Sequence, residues 1–88
     1  MITNQNQKKI FLVINKFAGH RRMFANVVYE VVSSLQKNGC EVKFSYTHHP
    51  GHATELAAKA VVEGFDRVVA VGGDGTMNEV AQGLIGTP

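Results

Sequence analysis

One run of residues constrains this chain more than any other: Val68-Val69-Ala70-Val71-Gly72-Gly73-Asp74-Gly75-Thr76-Met77-Asn78-Glu79-Val80. The four residues 68–71 are an apolar run of the kind shown by a strand buried on both faces. Gly72, Gly73 and Gly75 then remove side chains where a loop must turn, and let a ligand touch the backbone. From Met77 the period changes. Met77, Val80, Ala81 and Leu84 fall on one face of a helix. A glycine loop feeding a helix N-terminus aims free N–H groups and the positive end of a helix dipole at one spot, which suits a phosphate. Asp74 would repel a phosphate unless a cation stood between them, so the loop reads as one for a metal-bound nucleotide. In that reading Asp74 reaches Mg²⁺ directly or through water. A structural alternative stays open. Asp74 could cap the helix, or Thr76 could, since Thr76-Met77-Asn78-Glu79 spells a capping box.

The remaining chain supplies two further strands and two further helices. Ile10-Phe11-Leu12-Val13-Ile14 is a continuous apolar run, predicted to be a central parallel strand. A helix is predicted over about 21–37, with Phe24, Val27, Val28, Val31, Val32 and Leu35 at helical spacing and Asn38-Gly39 as its stop. Over 40–47, Val42, Phe44 and Tyr46 alternate with polar residues, the pattern of a half-exposed edge strand. A second helix is predicted over about 52–63, ended by Gly64. The order β-α-β-α-β-α predicts an α/β domain, a parallel sheet between helical layers. If the first strand is central, in the order 2-1-3, the loops at Asn15 and Gly72 become neighbours at a switch point where ligands bind.

Eighty-eight residues make at most one small domain, which buries only ~60% of its unfolded surface. Residues 1–8 read as a flexible polar lead-in, and Pro88 as the turn toward a fourth strand, so 9–88 is expected to be the N-terminal part of a larger domain. A net charge of +2 with scattered basic residues leaves no footprint for nucleic acid. The single cysteine, Cys40, excludes an internal disulfide and reads as a small packed residue. The polar N-terminus is unlike a signal peptide, and no stretch approaches the ~20 apolar residues of a membrane span. A cytoplasmic location is expected, with any membrane contact peripheral, at the inner face. His48, His49 and His52 lie close together, but structural zinc usually wants four ligands, often with thiolates, so His52 is read as the start of the second helix.

Gly72-Gly73-Asp74-Gly75-Thr76 resembles the signature shared by the diacylglycerol kinase, NAD kinase and phosphofructokinase superfamily. The continuation Asn78-Glu79-Val80 and Gly83-Leu84 resembles the diacylglycerol kinase-type lipid kinases in particular. Asn15 and Gly19 match that family's Asn-Pro-x-x-Gly turn, with Lys16 where proline is usual. Thr47 followed by Gly51-His52-Ala53 resembles its second loop. The resemblance implies an NAD kinase/diacylglycerol kinase-like fold, incomplete here. It implies an ATP and Mg²⁺ site at Asn15, Thr47, Gly72, Gly73, Asp74, Gly75, Thr76, Met77 and Asn78, with Asp74 toward the metal. Glu79 could help hold a Mg²⁺-water shell, contact the loop, or only complete the capping box. Lys16 and the pair Arg21-Arg22 read as solvated cations or as groups near an anion. The implied activity is transfer of the γ-phosphate of ATP to diacylglycerol or a related lipid hydroxyl. The lipid site and general base are expected in a C-terminal part, so no catalytic residue is assigned here. Two alternatives remain: an NAD kinase-like or other soluble-substrate kinase fragment, and a non-catalytic α/β module that dimerises over an open sheet edge.

Overall fold

A computed structural model describes residues 7–15 and 21–86, the side chains of 21–24 excepted. The expectations at 1–6, Lys16, Gly19 and Pro88, and for the side chains of Arg21, Arg22 and Phe24, lie outside the described residues. The elements run β1 (Lys9–Ile14), α1 (Arg21–Lys37), β2 (Glu41–Tyr46), α2 (His52–Val62), β3 (Arg67–Val71) and α3 (Asp74–Ile85). The three strands form one parallel sheet in the order β2-β1-β3, as the sequence pattern predicts.

The apolar run of β1 earns its central place by burial on both faces. Leu12, Val13 and Ile14 are wholly buried and Ile10 nearly so. Successive side chains of a strand point to opposite faces. Ile10, Leu12 and Ile14 therefore meet Val28 of α1, with Val31, Val32 and Leu35 against them. Val13 meets Ala53 and Ala57 of α2 and Val80 of α3, flanked by Phe11, Val68 and Ala70. One helix covers one face and two cover the other, which is what right-handed crossovers give when the chain steps out to β2 and back to β3.

Three expectations about packing need correction. First, β3 is half-buried rather than buried on both faces. It lies at an edge of the sheet, and Val69 is exposed there. Val27 on α1 and Phe44 on edge strand β2 are also exposed, although their spacing reads as inward. Second, α3 begins at Asp74, three residues before the change of period at Met77, and its N-cap is Gly73 with no side-chain cap. Thr76 is thus in the first turn of the helix and cannot be the cap of a capping box. Third, α3 buries Thr76, Val80 and Gly83, whereas Met77, Ala81 and Leu84 are exposed. The helix is turned so that its smallest residue faces α2. A Cβ added at Gly83 would collide with the Thr54 carbonyl oxygen and sit 2.9 Å from Ala57 Cβ. Close approach of two backbones at glycine and alanine, not apolar spacing, sets the buried face.

Candidate functional site

The parallel register places three strand ends level. Ile14 pairs with Tyr46 on one side and Val71 on the other. The residues that follow, Asn15, Thr47 and Gly72, therefore leave the sheet in one row. Main-chain bonds continue the row past the strands. The Thr47 N–H donates to the Ile14 carbonyl at 2.8 Å, and the Asn15 N–H to the Val71 carbonyl at 2.9 Å. Thr47 is buried, with 7% of its surface exposed.

Above this row lies an open cavity of about 440 Å³. Asn15 and Thr47 form its floor. Gly73, Gly75 and Thr76 form the wall on the α3 side, and His48, His49, Pro50 and Glu79 complete it. Five of the nine residues predicted to form a site thus share one cavity: Asn15, Thr47, Gly73, Gly75 and Thr76. Gly72 does not line the cavity. A Cβ there would sit 2.6 Å from Thr76 Oγ1 and 3.1 Å from Asn15 Cβ, so glycine is what lets the loop cross over these two side chains. Asp74, Met77 and Asn78 do not line the cavity. They are exposed on the first turns of α3.

The first i→i−4 bond of α3 runs from the Met77 N–H to the Gly73 carbonyl at 3.2 Å. The N–H groups of Asp74, Gly75 and Thr76 come before it, the position of the unpaired donors at any helix start. With the helix dipole they put partial positive charge at the α3 end of the cavity, beside the Glu79 carboxylate. Among the described residues no lysine or arginine lines the cavity. Its polar chemistry is therefore backbone N–H, hydroxyl, amide, imidazole and the Glu79 carboxylate. Asp74 adds an exposed carboxylate in the first turn of α3, outside that lining; a carboxylate is the type of ligand Mg²⁺ takes beside phosphate oxygens and waters.

His48, His49 and Pro50 are not among the residues predicted to form the site, and Glu79 enters the prediction only with its role open. The link that brings Glu79 in joins residues 28 apart. Its Oε2 accepts the Gly51 N–H at 3.2 Å, and its carbonyl accepts from Thr54 Oγ1 at 2.7 Å. No sequence spacing announces such a bond. The histidines turn toward one another. His52 opens α2, and its Nδ1 accepts the His48 N–H at 2.9 Å. The His49 and His52 rings stack at 4.6 Å. Among the described residues no group of three His, Cys, Asp or Glu side chains is placed to hold a metal ion. Among them, too, no helix is long and apolar enough to cross a membrane.

The family pattern described as the diacylglycerol kinase catalytic domain matches residues 9–88. The chain is 31% identical over 84 residues to sphingoid long chain base kinase 5 of Saccharomyces cerevisiae, covering 96% of this chain and 12% of that protein. It is 33% identical over 82 residues to a diacylglycerol kinase of Staphylococcus saprophyticus, covering 93% of this chain and 27% of the relative. A solved structure of a Bacillus anthracis protein, described as a "putative diacylglycerol kinase", superposes on 86% of this chain and 27% of its own, with a TM-score of 0.72 at 26% identity. The chain thus spans about a quarter or less of the length of these relatives.

Proposed function

This chain belongs to the diacylglycerol kinase catalytic domain family, whose members among its relatives are lipid kinases, and from that premise we propose that the 440 Å³ cavity is the nucleotide site of a lipid kinase. In this reading residues 9–88 are the N-terminal part of its nucleotide-binding domain. ATP is the phosphate donor, and diacylglycerol or a related lipid alcohol is the acceptor. The enzyme works in the cytoplasm or peripherally at the inner face of the membrane. The lipid site and general base lie in other parts of the protein, so this chain alone binds nucleotide weakly and does not turn over lipid.

The observation that carries the reading is the glycine pair at the cavity wall. Neither Gly73 nor Gly75 has a positive φ, and a Cβ added at either would meet nothing within 4 Å. Packing and backbone conformation do not require glycine at these two positions. What glycine does there is keep the backbone N–H groups open to a ligand that comes close, as a phosphate must. The donors at the start of α3 would hold the phosphates. Asn15 and Thr47 would meet the nucleotide from the floor. Asp74 would hold Mg²⁺ through its water shell, and the metal would supply neutralisation of phosphate charge when bound.

The glycine pair gives a prediction in which stability and binding move in opposite directions. Gly75→Ala is expected to raise stability by up to about 1 kcal/mol, since alanine replaces glycine in a helix without a clash. The same change is expected to weaken Mg²⁺-ATP binding at least several-fold. Urea unfolding and an ATP titration of one sample read both. Unchanged affinity would remove the reason for glycine.

The direct test is a Mg²⁺-ATP titration of the chain followed by backbone amide shifts. Shifts are expected at Asn15, Thr47 and residues 72–78, dependent on Mg²⁺, and Asp74→Ala should weaken binding about ten-fold or more, the worth of one hydrogen bond to a charged group. If saturating nucleotide moves nothing in the folded chain, the nucleotide reading fails. Concentration-dependent sedimentation in that case would favour a self-associating non-catalytic module, the reading that the edge position of β3 and exposed Val69 support.

A further inference from the structure

The loop between β2 and α2 forms one wall of the cavity, and its own residues hold it only partly. Helix α2 starts at a glycine. Gly51 is the N-cap, with φ 84, and no side chain of that segment caps the helix. A helix start without a cap leaves N–H donors unpaired. The missing acceptor comes from another helix. Glu79 of α3 reaches across and accepts the Gly51 N–H through Oε2 at 3.2 Å. The same residue is tied to α2 a second time, because Thr54 Oγ1 donates to its carbonyl at 2.7 Å. Glu79 is half-buried and lines the cavity beside His48, His49 and Pro50.

We infer that Glu79 is a positioning residue, a latch between helices whose carboxylate caps α2 at Gly51 and so fixes the His48–Pro50 wall of the nucleotide site. The role rests on the nucleotide reading given above. Two points favour this over direct contact with a metal. One oxygen of the carboxylate is already engaged by Gly51. The carboxylate sits at the positive end of a helix dipole, which favours a negative group there without any ligand. The rest of the loop is locally bonded, by the His48 N–H on His52 Nδ1 at 2.9 Å and the His52 N–H on the His49 carbonyl at 3.1 Å. Gly51 is the point where the loop is tied to α3. Loss of that tie loosens the loop at Gly51, while the Thr54 bond to the Glu79 main-chain carbonyl still holds α2 to α3 and the sheet below stays in place.

The test uses hydrogen exchange of the Gly51 and His52 amides in the nucleotide-free chain, together with a Mg²⁺-ATP titration, on wild type, Glu79→Ala and Glu79→Gln. Alanine removes the acceptor. Glutamine keeps an oxygen acceptor and loses the charge. In Glu79→Ala the Gly51 amide is expected to exchange about five-fold faster, the ordinary worth of a lost cap. Exchange in β1 should not change, and Mg²⁺-ATP affinity should fall several-fold. Glutamine should restore both slow exchange and affinity to near wild type. Unchanged Gly51 exchange in Glu79→Ala overturns the latch. So does a glutamine variant that restores slow exchange but not affinity, since the charge itself would then be what the nucleotide or its metal needs. A wild-type chain whose amides do not respond to Mg²⁺-ATP overturns the nucleotide reading and the positioning role with it, whatever the exchange rates show.

Discussion

Replacing Gly83 with valine is expected to cost at least about 3 kcal/mol, the upper end of ordinary overpacking, and to leave no cooperative unfolding transition in a domain this small. A Cβ at this position collides with the Thr54 carbonyl oxygen, and it would lie 2.9 Å from Ala57 Cβ and 3.2 Å from the Ala58 nitrogen. Two of those three neighbours are backbone atoms of α2, so no rotamer change relieves them. Helix propensity pulls the other way. Glycine within a helix costs about 1 kcal/mol relative to alanine. Gly83→Ala therefore isolates the balance, and the clash is expected to win. A loss of about 1–2 kcal/mol in urea unfolding would report it, after the propensity gain is set against the overpacking. An alanine variant more stable than wild type would mean that α2 and α3 do not meet at this point.

The second large effect is expected at the centre of the sheet. Leu12 is wholly buried, on the middle strand, in the cluster with Ile10, Ile14 and Val28. Leu12→Ala removes packed methyl groups from a site walled by β1 and α1, and should cost about 2–5 kcal/mol through lost burial plus the cavity left behind. The urea midpoint should fall with little change in slope. A midpoint unchanged from wild type would contradict the placement of Leu12 in the core. The two losses act on opposite faces of the sheet, so smaller substitutions at the two sites should add.

Much of this architecture is legible in the residues alone, for identifiable reasons. The run Ile10-Phe11-Leu12-Val13-Ile14 has no polar residue to offer a wet face, so it has to be the middle strand. Once it is, the order β2-β1-β3 and the meeting of Asn15, Thr47 and Gly72 follow from parallel pairing. The orientation of α3 is not legible in the same way. The stripe that periodicity picks is Met77, Val80, Ala81 and Leu84; the one that is buried is Thr76, Val80 and Gly83, which shares only Val80 with it. The second is buried because Gly83 lets α3 come against Ala57, a contact made between helices and not within one. The start of α3 is hidden in the sequence for a related reason. Glycines in a row suggest a loop, whereas Gly75 lies in the first turn and Gly73 is the N-cap. The sequence leaves three roles open for Glu79. The bond to Gly51 depends on where α2 starts relative to α3, which only the assembled sheet determines.

The level strand ends have a consequence for variation. The origins of the three loops are set by main-chain bonds, Thr47 N–H to Ile14 and Asn15 N–H to Val71, and not by the side chains at 15 and 47. Neighbouring strands stand roughly 4.8 Å apart, so the three origins mark out a span of roughly 10 Å. That length behaves as a ruler cut by the hydrogen-bond spacing of the sheet. Substitution at Asn15 or Thr47 can change which group is offered to a ligand, but it leaves the intervals between the offered groups as they are. Chemistry at this edge can therefore be exchanged one side chain at a time, on a scale that the exchange does not disturb.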